Sequence, residues 1–287
     1  MRIDFHTHTF PHRIAERAIQ SLQEKSHARA FSDGTASGLR AAMEEAGIGV
    51  SVVLPVATNP DKVASINDVS LSQTGQDGLI YFGCMHPLCP DWEKELERIA
   101  AGGLQGIKIH PVYQQVLFDD PRFLRILQKA FALDLIVVTH AGDDIGFPGE
   151  VFCEPERIRQ TLDRIGGGKL VLAHMGGWKN WDRVENCLSG TGVYLDTAFS
   201  LGEISPLREA YYTAQQCQLL GEEQFCRIVE SFGADRILFG SDSPWASPRD
   251  TRKAIEATAL SDTQKQAIFG GNACRLLGLS VNSVSFS

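Results

Sequence analysis

Eight times along this chain a short β-branched, apolar run is followed by a polar turn rich in Gly or Pro and then by a helical pattern. The runs cover residues 2–6, 50–57, 79–84, 105–110, 135–140, 169–174, 193–196 and 236–241. Several are almost continuously apolar, as in Val50-Ser-Val-Val-Leu-Pro and Leu135-Ile-Val-Val-Thr, which suits parallel strands buried on both faces. Between them, Asn59-Pro60, Asp120-Pro121 and Glu154-Pro155 read as helix starts with proline at the first helical position. Gly47, Gly102-Gly103, Gly166-Gly167-Gly168 and Gly233 read as helix ends. Strand and helix alternating in this way predict an α/β fold with a parallel sheet, and eight strands are the number that closes a (β/α)8 TIM barrel. The rival, a doubly wound open sheet, usually carries a Gly-rich phosphate turn after its first strand. Here that turn reads His6-Thr-His-Thr-Phe-Pro, so the barrel is preferred, as a single domain over residues 1–287.

Composition limits the function classes. A net charge of −8 disfavours a nucleic-acid or membrane-surface partner and leaves a small-molecule substrate. Seven cysteines, Cys84, Cys89, Cys153, Cys187, Cys217, Cys226 and Cys274, form no Cys-x-x-Cys pair, as expected for reduced thiols in a cytoplasmic protein. No apolar targeting segment or membrane-length stretch is seen. No P-loop and no Gly-x-Ser-x-Gly elbow is present.

The histidines are distributed unevenly. Six of the eight, His6, His8, His86, His110, His140 and His174, fall at or just after the C-terminal end of a strand run, the face where barrels do their chemistry. His6 and His8 are two apart on a strand, so both rings point to one side and can reach one ion. Asp242 ends the eighth run. With His140 these residues make a three-nitrogen, one-carboxylate set that suits zinc best, with manganese or iron as alternatives. Asp242 also reads as the group that takes a proton from water, its competing role being an Asx turn or N-cap. His174, beside Gly176-Gly177, reads as a general acid/base, a substrate orienter or a ligand of a second ion, the glycines letting backbone approach a ligand closely. Lys108 shares a strand face with His110. It reads as a carboxylated bridge between two ions, as a cation for an anionic substrate, or as a lysine capping the barrel mouth. One ion is expected, or two if Lys108 is carboxylated. His110 and Trp178 are expected to line the substrate site, and His86 to act as an outer hydrogen-bond partner. Asp143 and Asp144 read first as loop caps and second as groups orienting His140. His12 and His27 are given no metal role. Two long loops, 26–37 and 198–221, are candidates for a lid or pocket wall, the second alternatively for a short helix without a role.

The segments Asp4-Phe-His-Thr-His, Gly106-Ile-Lys-Ile-His-Pro, Thr139-His-Ala-Gly, Ala173-His-Met-Gly-Gly and Phe239-Gly-Ser-Asp-Ser-Pro together resemble the amidohydrolase superfamily. The likeness is strongest to the amidohydrolase-related branch that includes aminocarboxymuconate-semialdehyde decarboxylase. The first run begins at residue 2, which fits that branch's lack of a flanking β-sandwich. The resemblance implies metal ligation by His6, His8, His140 and Asp242, with His174 acting on the water. In its binuclear members a lysine and a histidine at the places of Lys108 and His174 serve a second ion, so both readings stay open. A homodimer is likewise left open. The function expected first is a metal-dependent hydrolase that uses activated water on a small amide, ester or lactone. The second is a metal-dependent, non-oxidative decarboxylase of an aromatic or unsaturated acid. A barrel that binds a small ligand without turnover is third.

Overall fold

A computed structural model describes residues 1–279. Nine strands follow in chain order: β1 (Ile3–Thr7), β2 (Val50–Val53), β3 (Leu79–Tyr81), β4 (Gly83–Cys84), β5 (Gly106–Ile109), β6 (Ile136–Thr139), β7 (Leu170–Leu172), β8 (Tyr194–Asp196) and β9 (Ile237–Leu238). All but β1 lie inside one of the eight expected runs, and β1 runs one residue past its own, to Thr7. The ninth arises because Phe82 interrupts the run 79–84 and divides it into β3 and β4.

The residues group into two compact units, each discontinuous in sequence. The first holds Met1–Val52, Ile145–Pro148 and the chain from Asp196 onward. In it, β1 lies between the start of β2, where the amides of Gly49 and Val50 donate to Arg2 O, and the segment after β9, where Phe5 N donates to Phe239 O at 2.7 Å. Thr7 forms a parallel bridge with Ser243, and Thr197 N donates to Leu238 O. Every residue of β1 is buried, Asp4 and His6 included. Burying a carboxylate and an imidazole in a strand is costly unless both are hydrogen-bonded, so these residues mark the site at once.

The second unit holds Val53–Asp144 and Gly149–Leu195. Here β4, β5, β6, β7 and β8 are parallel neighbours in sequence order, with Lys108 opposite Val138 and Thr139 opposite Leu172. β5 and β6 are buried throughout, as strands covered on both faces must be. Helices Pro121–Ala132 and Pro155–Ile165 begin where proline predicts, and Asp120 caps the first by accepting from Arg122 N. The Asn59-Pro60 start differs. Asn59 caps as expected, accepting from Asp61 N, but the first turn is a 3-10 turn that precedes helix Val63–Gln73. Glycine ends the helix Ala36–Ala46 as expected, Gly47 being left-handed at φ +65°.

The two long loops belong to the first unit and pair with each other. Arg29 N donates to Ser205 O and Leu207 N to His27 O, an antiparallel ribbon centred on Ala28 and Pro206. His27 stacks on Tyr211 with ring centroids 3.7 Å apart, and the Tyr212 hydroxyl donates to Ser26 O. The short helix expected as an alternative is also there, at Ala214–Cys217.

Candidate metal centre

In the first unit, three ligand atoms meet. His6 Nε2 lies 3.2 Å from His8 Nε2 and 3.5 Å from Asp242 Oδ1, and His8 Nε2 lies 3.1 Å from the same oxygen. Strand β1 provides the first ring and the residue just past its end provides the second. Asp242 stands in a left-handed turn at φ +69°, its amide donating to His6 O. It is not a helix N-cap: the next helix, Pro248–Ala257, is capped by Ser247. Gly240 makes room for the first ring, since a Cβ there would stand 2.9 Å from His6 Cβ.

The hydrogen-bond pattern assigns the tautomer of His6. Its Nδ1 lies 2.8 Å from Asp196 Oδ2, and a carboxylate only accepts, so Nδ1 carries the hydrogen. The lone pair is therefore on Nε2, aimed at His8 and Asp242. Asp196 in turn accepts the Ala198 amide on its other oxygen. Asp4, fully buried, accepts from Ser241 Oγ at 2.5 Å and from the amides of Ser241 and His6. Burial pushes the Asp4 carboxyl up to about 7, against those hydrogen bonds and with help from the nearby Asp196 charge. Among the described residues, the first unit buries three carboxylates, Asp4, Asp196 and Asp242, and no lysine or arginine. A His6 Nε2 lone pair within 3.5 Å of His8 Nε2 and Asp242 Oδ1, in an environment with more buried carboxylates than buried cations, fits a divalent cation.

The second unit gathers His110, His140 and Asp144, all buried, with Asp144 Oδ2 3.6 Å from His110 Nε2 and 3.8 Å from His140 Nε2. The hydrogen positions here run the other way. His110 caps the helix Pro111–Gln114 by accepting Tyr113 N at Nδ1, so its hydrogen is on Nε2. His140 Nε2 faces the Asp143 carbonyl at 3.1 Å and so donates to it. Both nitrogens that face Asp144 carry hydrogens, and this trio does not fit a cation. The Asp143 side chain accepts from Asn180 Nδ2, and its carbonyl faces His140 Nε2. The lone pair of His140 lies on Nδ1, and His174 Nε2 is 3.0 Å from it. That pair has the spacing of the two ring nitrogens in the first unit.

His174 lies just after the end of β7, past the strand itself. It follows β7 in a left-handed turn, with φ +59° and Met175 at +53°. The glycines after it serve packing: a Cβ on Gly177 would meet the Val184 side chain at 2.8 Å. Lys108 is buried at 1 % exposure on β5. Trp178 is buried too, its amide donating to Ala141 O and its carbonyl accepting from Asp143 N. His86 accepts the Leu88 amide at Nδ1, a bond within its own turn. Sequence reading did not single out Asp196 or Asp4. Each is an acidic residue inside a buried strand, and that oddity is a usable signal.

A family model described as Amidohydrolase matches residues 3–279. The chain belongs to the amidohydrolase family. Membership makes it an enzyme of a family whose structural neighbours here include both hydrolases and decarboxylases. A search of curated proteins finds no match. Among solved structures, the chain is similar to an uncharacterised TIM-barrel protein from Bordetella bronchiseptica (16% identity, TM-score 0.72, covering 96% of this chain and 98% of that one). It is similar to a dihydroxybenzoic acid decarboxylase from Polaromonas sp. JS666, solved with manganese and the inhibitor 2-nitroresorcinol (16%, TM-score 0.66, 99% of each). It is also similar to a probable 2-pyrone-4,6-dicarboxylic acid hydrolase from Acinetobacter baumannii with bound citric acid (14%, TM-score 0.64, 97% and 99%). These likenesses give the amidohydrolase its fold class, a (β/α)8 barrel. No helix among the described residues is long and apolar enough to cross a membrane.

Proposed function

We propose that this amidohydrolase is a divalent-metal-dependent hydrolase acting on a small amide, ester or lactone. The observation that carries the reading is the meeting of His6 Nε2, His8 Nε2 and Asp242 Oδ1 among buried carboxylates. These three residues would hold the ion, and the family resemblance adds His140 as the fourth. Zinc is the first choice from the donor set, and the manganese of the Polaromonas decarboxylase keeps that metal open for this chain. Held there, the ion supplies positive charge that polarises a carbonyl and makes water a stronger acid.

The chain's own residues supply the proton steps. Asp242 takes the proton of the attacking water on its carboxylate as the oxygen bonds to the substrate carbonyl, and returns it to the leaving group. His174 is proposed as the base that shares that proton. Lys108, His110 and Trp178 are proposed to hold the substrate, Lys108 as the cation for any carboxylate it carries.

Decarboxylation is the second reading, supported by the likeness to the dihydroxybenzoic acid decarboxylase. Asp242 would then deliver its proton to the substrate carbon, the carbon–carbon bond would break, and carbon dioxide would leave.

Metal content per chain, measured by plasma mass spectrometry on protein purified without added metal, is the first test. About one equivalent, lost in His6→Ala, supports the mononuclear site and gives weight to decarboxylation. About two supports a carboxylated Lys108 bridging two ions and a hydrolase. None, even with zinc or manganese supplied, rejects the proposal. Carbon dioxide release from a panel of unsaturated and aromatic acids, set against lactone or amide cleavage without gas, separates the two reactions.

A further inference from the structure

We infer that Asp196 is a positioning residue for the metal centre, selecting the nitrogen of His6 that faces the cation; the inference rests on the proposed metal-dependent function. Four observations carry it. Asp196 Oδ2 lies 2.8 Å from His6 Nδ1, and both side chains are at most 1 % exposed, so water does not compete for the contact. The carboxylate is itself held, its Oδ1 accepting the Ala198 amide at 3.1 Å. The His6 backbone is fixed at both ends, its amide donating to Asp4 Oδ1 and its carbonyl accepting from Asp242 N. The Gly240 backbone lies close to His6 Cβ and limits the ring's room to turn. With Nδ1–H committed to Asp196, the lone pair on Nε2 is presented to the side where His8 Nε2 and Asp242 Oδ1 lie. A carboxylate behind a ligating imidazole fixes its ring and raises its basicity.

The test replaces Asp196 by Asn and by Ala and measures zinc affinity by competition with a chromophoric chelator. Asn keeps an accepting oxygen without the charge, and Ala removes the acceptor. The expected result is a loss on the order of 10–100-fold, larger for Ala, with folding retained by circular dichroism. A folded Asp196→Asn and a folded Asp196→Ala that both bind zinc within about twofold of the parent would overturn the inference. Nitrogen-15 spectra of histidine-labelled, metal-free parent protein give a second readout that does not need the variants to fold. They should show His6 with hydrogen on Nδ1 and a bare Nε2, the signal being assigned by its loss in His6→Gln. Hydrogen on Nε2 would overturn the inference. A parent protein that takes up no metal would reject the proposed function, while the His6 tautomer would still decide whether Asp196 controls the ring.

Discussion

The two units place similar groups together, histidines and an aspartate, with opposite results. In the first, the oxygen that takes the histidine's hydrogen lies behind the ring: Asp196 holds His6 Nδ1–H, and the lone pair meets His8 and Asp242. In the second, backbone groups set the rings so that His110 and His140 both turn Nε2–H toward Asp144. One cluster collects acceptors and fits a cation. The other turns ring N–H groups toward an anion, at 3.6 and 3.8 Å. Residue types are the same in both; the hydrogen bonds that set each tautomer, at Nδ1 of His6 and His110 and at Nε2 of His140, decide.

The largest expected effect tests that contrast directly. His6→Ala should lower metal affinity by more than about 100-fold, beyond the loss usual for outer partners, and abolish turnover. His110→Ala should keep the parent's metal content and act, if at all, on KM. Equal metal loss in both variants would break the comparison. His140→Ala extends the test, metal loss marking it as the fourth ligand through Nδ1. Next comes Gly240→Ala, whose Cβ would be forced against His6 Cβ; it should cost about 1–3 kcal/mol in urea unfolding and weaken metal binding along with it. Asp144→Asn should cost less, about 1 kcal/mol, because it keeps the side chain's shape and removes only the charge that faces two ring N–H groups at 3.6 and 3.8 Å. An unchanged urea midpoint would show that the donors are satisfied elsewhere. The smallest effect is chemical silence. Burial pushes the Cys84 and Cys153 thiols far up, so neither forms thiolate at pH 8, and neither should react with a disulfide reagent until urea unfolds the chain.

Much of the fold was legible in the sequence because its signals are local. All eight β-branched runs hold strands, and Asp120-Pro121 and Glu154-Pro155 open helices, since proline and a capping side chain act on their own turn. His6-x-His8 was legible for the same reason, strand geometry alone putting the rings side by side. What escaped depends on residues far apart in the chain. Asp196 lies 190 positions from the ring it holds, and Asp4 lies 237 from Ser241. Nor can sequence tell which nitrogen of His140 carries hydrogen, because that follows from where the Asp143 carbonyl points. Gly177 was read as an approach for ligand, whereas Val184, seven residues on, is what occupies the space.

The ribbon between the two long loops of the first unit carries a consequence for how this enzyme can change over generations. Its rungs at Arg29, Ser205, His27 and Leu207 are main-chain bonds, which nearly any side chain leaves intact. Selection can therefore rewrite those side chains without dismantling the ribbon, while β1, where Asp4 and His6 each hold buried partners, has almost no such freedom. Heritable novelty in this molecule would accumulate in the ribbon before it reached that strand.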